Sequence, residues 1–363
     1  MAQSNAFSVS VVLATGPEYI ASMSPYQVRA LSGSYAPTNG TSTLQAVMPS
    51  QWNGNTDIVR PWSGGAKSTT GTKMYVHGGG HADSSNNGLY SFDFAGTTRP
   101  TGWAVENAGQ TGVSTDIAVG ATGAPISVHT YDGMVDMGSA LYRLGGSPYP
   151  NGGFATQMFR YDKASSVWTR LPNWTSGGGW FAGSAIANPA AGKILAMERW
   201  VYYQTYAFYR VATNNWSAMQ SVGAQWISDG ATAWNPVTNT GLMVGSSNGY
   251  GATTAFSLGI DWAAETITQT QRSLPAVGGG SAIVWDATRQ RYWVWGSSGN
   301  YGTMYEIDPS NWTVSTHALT GDALAPEEPY RGTFGRHVFM ESWRAIGSVV
   351  SRTGAAFVIR LPS

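Results

Sequence analysis

The stretch Lys73–Phe94, KMYVHGGGHADSSNNGLYSFDF, contains a hydrophobic strand, a run of three glycines, a polar loop and a second strand. The second strand, LYSFDF, alternates its side chains in a way that is typical of a strand with two distinct faces. Glycines at a strand end permit close approach of backbones and unusual backbone dihedrals. We therefore predict two strands joined by a glycine-led loop, and such loops often carry functional side chains.

The same order of features recurs along the whole chain. The clearest second copy is Ser139–Tyr161, SALYRLGGSPYPNGGFATQMFRY, and a tryptophan follows each copy, Trp103 in one case and Trp168 in the other. Four weaker copies follow, and successive strand ends are separated by 67, 53, 47, 51 and 55 residues. A repeat of about 50 residues indicates a propeller with four strands in each blade. The aligned strand ends are Gly78, Gly145, Glu198, Gly245, Gly296 and Ser351.

The repeats predict an all-β fold, a β-propeller of six four-stranded blades in residues 43–363. Residues 1–42 are expected to be an N-terminal extension or a partial blade, which would be the source of a seventh blade. We expect strands from both ends of the chain to pair and close the ring. The expected closing strand is Thr43–Met48, TLQAVM, beside a last blade that ends at Ile359. No helical segment or linker is apparent, which favours a single domain.

Three segments carry a resemblance to known proteins: VRPWSGGA (Val59–Ala66), MYVHGGGHADSSNNGLYSFD (Met74–Asp93) and HTYDGMVDMGSALYRLGGS (His129–Ser147). They resemble the galactose oxidase/kelch-like β-propeller superfamily, which implies a kelch-type propeller over residues 43–363. This superfamily contains both enzymes and binding modules. The copper site of galactose oxidase requires a tyrosine cross-linked to a cysteine. The chain has no cysteine, so copper-radical oxidation is excluded.

GGGHAD followed by HTYDG is also similar to the early blades of ulvan-lyase-type propellers, which cleave acidic polysaccharides by β-elimination. This resemblance implies histidine and tyrosine side chains for proton transfer and an arginine for the substrate carboxylate. A shared acid–base role requires His81 and His129 to lie within about 10 Å of each other. The candidate catalytic residues, if the protein is a lyase, are His81, His129, Tyr131, Arg199 and Tyr202.

A second set of side chains suits ligand binding without chemistry. Aromatic residues beside glycine or polar loops stack on sugar rings or anchor partner proteins, although packing between blades is the alternative role. For the tryptophans that follow the repeats, packing between blades is the better interpretation. His77, His317 and His337 are expected to have structural roles. The candidate ligand-binding residues are Asp83, Tyr149, Trp180, Trp200, Tyr203, Tyr250 and Tyr301.

The composition excludes several classes of partner. The 20 basic and 20 acidic residues give zero net charge, so the chain has no basic field for nucleic acid. No apolar run is long enough to cross a membrane. His81 and Asp83 would supply only two metal ligands at a weak spacing, and we expect neither a metal nor another cofactor.

These features favour a non-enzymatic binding module that contacts a polysaccharide or a partner protein. The uncharged polar composition and the lack of a secretion signal suggest a virion or cytoplasmic location, and we expect a bacteriophage tail or head protein. In that role the N-terminal segment would attach the propeller to another chain. The alternative is a polysaccharide lyase that uses His81 and His129. An intracellular scaffold ranks last.

Overall fold

The structure is a computed structural model. It describes residues 16–59, 62–66, 71–113, 123–174, 179–198, 205–221, 228–246, 253–274, 277, 280–297, 300–324 and 332–363, and at 228, 246, 253 and 297 it describes the backbone alone. The fold is a β-propeller of six four-stranded blades. This confirms the fold class and the blade number predicted from the repeats.

The N-terminal part holds strand β1 (Gln27–Ala30) and two one-turn helices, α1 (Glu18–Ala21) and α2 (Leu44–Val47). The strands of blade 1 are β2 (Gly65–Ala66), β3 (Lys73–Val76), β4 (Leu89–Asp93) and β5 (Gly102–Asn107). A small separate sheet pairs β6 (Val128–His129) with β9 (Ser147–Pro148). The strands of blade 2 are β7 (Met134–Asp136), β8 (Ala140–Arg143), β10 (Met158–Asp162) and β11 (Val167–Leu171).

The remaining blades follow the same order from the channel outward. Blade 3 consists of β12 (Ser184–Asn188), β13 (Lys193–Met197), β14 (Thr205–Arg210) and β15 (Asn215–Trp216), with β16 (Gln220–Ser221) also on β14. Blade 4 consists of β17 (Ser228–Asn235), β18 (Thr240–Ser246), β19 (Thr253–Asp261) and β20 (Thr266–Arg272). Blade 5 consists of β21 (Ala282–Asp286), β22 (Arg291–Ser297), β23 (Asn300–Asp308) and β24 (Thr313–Ala318), and β25 (Thr320–Gly321) follows it. Blade 6 consists of β26 (His337–Met340), β27 (Ala345–Ser348), β28 (Phe357–Arg360) and β1.

The ring is closed by strands from both ends of the chain, but the predicted closing strand is wrong. Strand β1 pairs with β28 in antiparallel register, with Val28 opposite Ile359, and forms an outer strand of blade 6. The propeller therefore begins before residue 43, within the segment predicted to be an extension. Thr43–Met48 contains helix α2, because Leu44, Val47 and Met48 follow the helical i, i+3, i+4 spacing and pack on one core cluster.

Alternation along each strand serves the packing between neighbouring blades. On β4, Tyr90 and Phe92 belong to a core cluster shared with Val338 and Val358 of blade 6. Leu89 lies in a different cluster, with Leu141 and other residues of blade 2. Each blade thus buries both of its faces, which explains why aromatic side chains occur on both faces of a strand.

The two ends of the central channel differ in the connections that they carry. Because the strands of a blade are antiparallel, the loop between its second and third strands lies on the same face as the entry to its first strand. We call this the upper face, and it carries the glycine-led loops such as Val76–Leu89. The lower face carries the turns between first and second strands. Among the described residues, neither helix is long and apolar enough to cross a bilayer.

Candidate functional site

Three glycines bring the loop of blade 1 against the entry to blade 2. Gly79 and Gly80 have φ angles of +120° and +69°, which side-chain-bearing residues rarely adopt. A Cβ atom on Gly80 would lie 2.1 Å from the backbone nitrogen of His129. The same glycine donates its N–H to Ser127 Oγ at 2.8 Å. The run GGG therefore permits the close contact that places the next residue, His81, beside His129.

His81, Asp83 and His129 form a cluster on the upper face. The rings of His81 and His129 lie edge to face with centroids 5.7 Å apart. His129 is only 2% exposed, and its Nε2 donates a hydrogen bond to Asp83 Oδ2 at 2.6 Å. His81 is exposed, and its ring lies over Gly152, where a Cβ atom would come within 2.2 Å of His81 Cδ2. The structure thus brings together one exposed imidazole, one buried imidazole and one carboxylate, within the distance that a shared role requires.

The mouth of the channel is framed by one residue from each blade entry, which we call the mouth ring. Every member has a positive φ angle, between +32° and +70°; five of the six stand just before a first strand, and Asp229 is the second residue of β17. Backbone hydrogen bonds link members of neighbouring blades: Tyr131 N–H donates to Trp62 O at 2.7 Å, and Phe334 N–H donates to Gly280 O at 2.9 Å. The members are Trp62, Tyr131, Ala182, Asp229, Gly280 and Phe334.

Aromatic side chains extend from the mouth ring to the histidines. Tyr131 packs against Phe181 and Phe334, with centroids 5.2 and 6.0 Å apart, and Phe181 contacts Phe154 at 5.1 Å. Trp62 lies 5.1 Å from the ring of His129. Phe154 is 44% exposed and Trp62 is half-buried. We call this set the aromatic arc: Trp62, Tyr131, Phe154, Phe181 and Phe334. Of these residues, Tyr131 is among the candidates predicted from the sequence.

A sequence signal for part of this arc existed. A glycine follows within two residues of five of the six mouth-ring residues, as in Trp62-Ser-Gly and Tyr131-Asp-Gly. The repeat is clearest at the ends of the second strands, and these positions at the entries to first strands lie outside it. Phe154 and Phe181 lie in irregular loops, and no pattern in the sequence marks them.

Trp180, predicted to bind a ligand, is placed for packing instead. It is fully buried, because its side chain fills the space left by three glycines, Gly133, Gly145 and Gly183. It cannot contact a ligand at the surface, and the prediction for this residue is therefore wrong. Tyr301 is half-buried on β23 with its hydroxyl inaccessible to solvent, and burial raises the pKa of this phenol. Its role in ligand binding stays a prediction.

The other predicted residues divide into two groups. Tyr149 is half-buried beside β9, where its N–H donates to Ser127 O at 3.0 Å, and Tyr131 belongs to the mouth ring. The remaining predicted positions lie outside the described residues: Arg199, Trp200, Tyr202, Tyr203 and Tyr250.

His77 stabilises the loop that carries His81. It is completely buried directly after β3. Its Nδ1 donates to Gly88 O at 3.0 Å, and its ring packs on Trp168. Burial, followed by the positive charge of Arg143, lowers the pKa of His77 to about 3. This imidazole is therefore neutral at physiological pH and fixes the loop.

The arrangement limits the chemistry that the site can perform. The Nε2 of buried His129 is engaged by Asp83, which leaves exposed His81 as the imidazole of this pair that can meet a surface ligand. No group of three or more histidine, aspartate or glutamate side chains that could hold a metal ion occurs in the part of the chain that the structure describes. The site combines a half-exposed aromatic surface with a few hydrogen-bonding groups.

Fold and site together define a six-bladed β-propeller with a histidine and aromatic cluster at the mouth of its channel. No family model matches the chain, and no curated protein matches its sequence. Solved structures of similar architecture are numerous, with 546 matching chains. One, described as the structure of YjhT, is 13% identical with a TM-score of 0.53, over 84% of this chain and 94% of that one. This likeness establishes the propeller fold alone.

Proposed function

We propose that the upper face is a glycan-binding surface. The observation that carries this proposal is the aromatic arc, which presents the exposed ring of Phe154 and the half-buried rings of Trp62 and Phe181 near the His81–Asp83–His129 cluster. Aromatic rings stack on the apolar faces of sugars, while imidazole and carboxylate groups bond to sugar hydroxyls. Placement in a virus particle rests on composition and stays a prediction.

A lyase is the second candidate, favoured by the 5.7 Å separation of the two imidazole rings. In β-elimination, exposed His81 would take the proton from C5 of a uronate as the C4–O bond breaks. A second acid would return a proton to the leaving oxygen. The burial of His129 and its bond to Asp83 restrict its access to substrate, and binding without cleavage is therefore the better-supported function.

The Phe154→Ala variant is expected to weaken binding to the preferred polysaccharide by about five-fold or more, because a central aromatic contact contributes about 1 kcal/mol or more. Binding is measured by calorimetry with a panel of neutral and acidic polysaccharides. The matched control is Val237→Ala, which removes an apolar side chain that is 72% exposed on the lower face and should leave binding unchanged.

The same mixtures decide between the two functions. Ultraviolet absorbance that rises with an unsaturated uronate product, and disappears in His81→Ala, would establish the lyase and overturn a purely binding role. Binding that is equal in Phe154→Ala and in the native chain would refute the aromatic surface as the binding site. An absence of binding across the whole panel would refute the glycan proposal itself.

A further inference from the structure

The lower end of the central channel holds a cavity that is separate from the proposed glycan surface. Its volume is about 420 Å³, and five of the six blades contribute described residues to its walls. We call it the lower cavity. The lining comes from the ends of first strands and the turns that follow them, and it includes Ala187, Trp234, Trp285, Phe339 and Glu341. A cavity of this size is within the range of small-molecule sites.

The walls of the lower cavity are largely aliphatic and aromatic. Two of its tryptophans are held in place by aromatic residues that pack against them. Trp234 packs against Trp262 with centroids 5.3 Å apart, and Trp285 packs against Tyr292 at 4.8 Å. Both tryptophans are half-buried, so that part of each indole remains accessible. Indole faces attract cations as well as apolar groups, because their π-electrons carry partial negative charge.

The lining carries one acidic side chain, Glu341, and none of its described residues is a lysine or an arginine. His337 is the histidine among them, and its Nδ1 donates to Phe334 O at 3.1 Å. Glu341 Oε1 accepts hydrogen bonds from Thr288 N–H at 2.8 Å and from Thr288 Oγ1 at 3.0 Å, which hold the carboxylate at the rim. Next to the cavity, the charge of Asp286 is already neutralised by Arg344. A cationic ligand therefore complements the cavity better than an anion does.

We propose that the lower cavity binds a small organic cation with an apolar body, an aryl-alkyl ammonium in chemical class. The apolar body packs between the two indoles and the aliphatic wall, and the ammonium group lies toward Glu341. The ammonium gains from both the carboxylate and the indole faces, whereas a neutral analogue of the same shape gains only the apolar contact.

Three probes of nearly equal shape test this proposal: tryptamine, tryptophol and indoleacetate, which are cationic, neutral and anionic. Calorimetry on the full chain should show tryptamine binding about five-fold tighter than tryptophol, the effect of a partly exposed charge with a cation–π contact. Indoleacetate should bind most weakly. Glu341→Gln should reduce the preference for tryptamine over tryptophol to the part that the indole faces supply, while leaving tryptophol affinity unchanged. The glutamine amide oxygen can still accept from Thr288, and the local fold is therefore retained.

Two further variants make the test specific. Glu18→Gln removes one negative charge from an exposed position in α1, outside the cavity, and should leave the preference intact. Ala187→Leu fills part of the cavity and should weaken tryptamine and tryptophol together. The proposal is overturned if indoleacetate binds as tightly as tryptamine, if the preference is undiminished in Glu341→Gln, or if none of the probes binds.

Discussion

Replacement of Arg344 by methionine should lower the free energy of unfolding by about 3–5 kcal/mol, the usual cost of leaving a buried charge without its partner. Arg344 and Asp286 have side chains that are 1% and 0% exposed, and Arg344 Nη1 donates to Asp286 Oδ1 at 2.7 Å. Trp293 Nε1 donates to the same carboxylate at 2.9 Å. The pair ties the end of β21 in blade 5 to the start of β27 in blade 6, so its loss weakens the ring between these two blades.

Urea denaturation at neutral pH measures this loss. Arg344 has a φ angle of +50°, but methionine carries a Cβ atom as well, and the substitution adds no new backbone strain. The matched control is Arg210→Met, which breaks an ion pair whose arginine is 38% exposed and whose glutamate keeps Lys193 as a partner at 2.9 Å. The control should lose less than about 1 kcal/mol. Equal losses in the two variants would contradict the importance of the buried pair.

The stability deficit of Arg344→Met relative to the native chain should depend on pH in a defined direction. Burial by itself raises the pKa of Asp286, but hydrogen bonds from Arg344 and Trp293 and the charge of Arg344 outweigh it, and the net pKa is lowered. In the native chain this contribution is present above about pH 4 and is lost as the pH falls through the lowered pKa. Without Arg344, burial should raise the pKa of Asp286 instead. The deficit of the variant should therefore begin to shrink as the pH falls through the raised pKa, above about 4, and shrink further below about 4 as the native contribution is lost. A constant deficit would contradict this account.

Removal of residues 1–31 should abolish cooperative unfolding. It deletes the closing strand β1 and five buried apolar side chains: Tyr19, Ile20, Met23, Val28 and Leu31. Full burial of one such side chain contributes about 1.5–3 kcal/mol, so the combined loss is comparable to the total stability of many domains. The deletion also exposes the edge of β28, which invites aggregation. Urea denaturation and size-exclusion chromatography would report both effects.

Two control variants distinguish the loss of ring closure from the effect of shortening the chain. A chain that begins at Gly16 keeps β1 and should unfold cooperatively. A circular permutant in which residues 16–31 follow Ser363 through a flexible linker should also recover cooperative unfolding, because all four strands of blade 6 are then supplied from one end. A shortened chain lacking residues 1–31 that keeps the native midpoint would show that β1 does not close the ring.

The candidate site was predictable where its residues lie in short motifs. His81 and Asp83 follow the glycine run directly, and His129 and Tyr131 belong to HTYDG at the entry to blade 2. The other members of the aromatic arc escaped prediction because they come from different blades and loops. Trp180 shows the converse error: a tryptophan that follows a glycine run reads as an exposed loop residue, but Gly133, Gly145 and Gly183 leave a space that its side chain fills.

The sequence by itself determined the propeller, the number of blades and the glycine-led loop that carries His81. These features depend on strand alternation and on a period of about 50 residues, which are local and repeated and therefore visible in one dimension. Only the tertiary structure decided which segment closes the ring, since β1 is four residues long and gains its stability from β28, far away in the chain. The tertiary structure also decided the mouth ring and the lower cavity. Both are formed by single residues from several blades, and their proximity arises only when the ring closes.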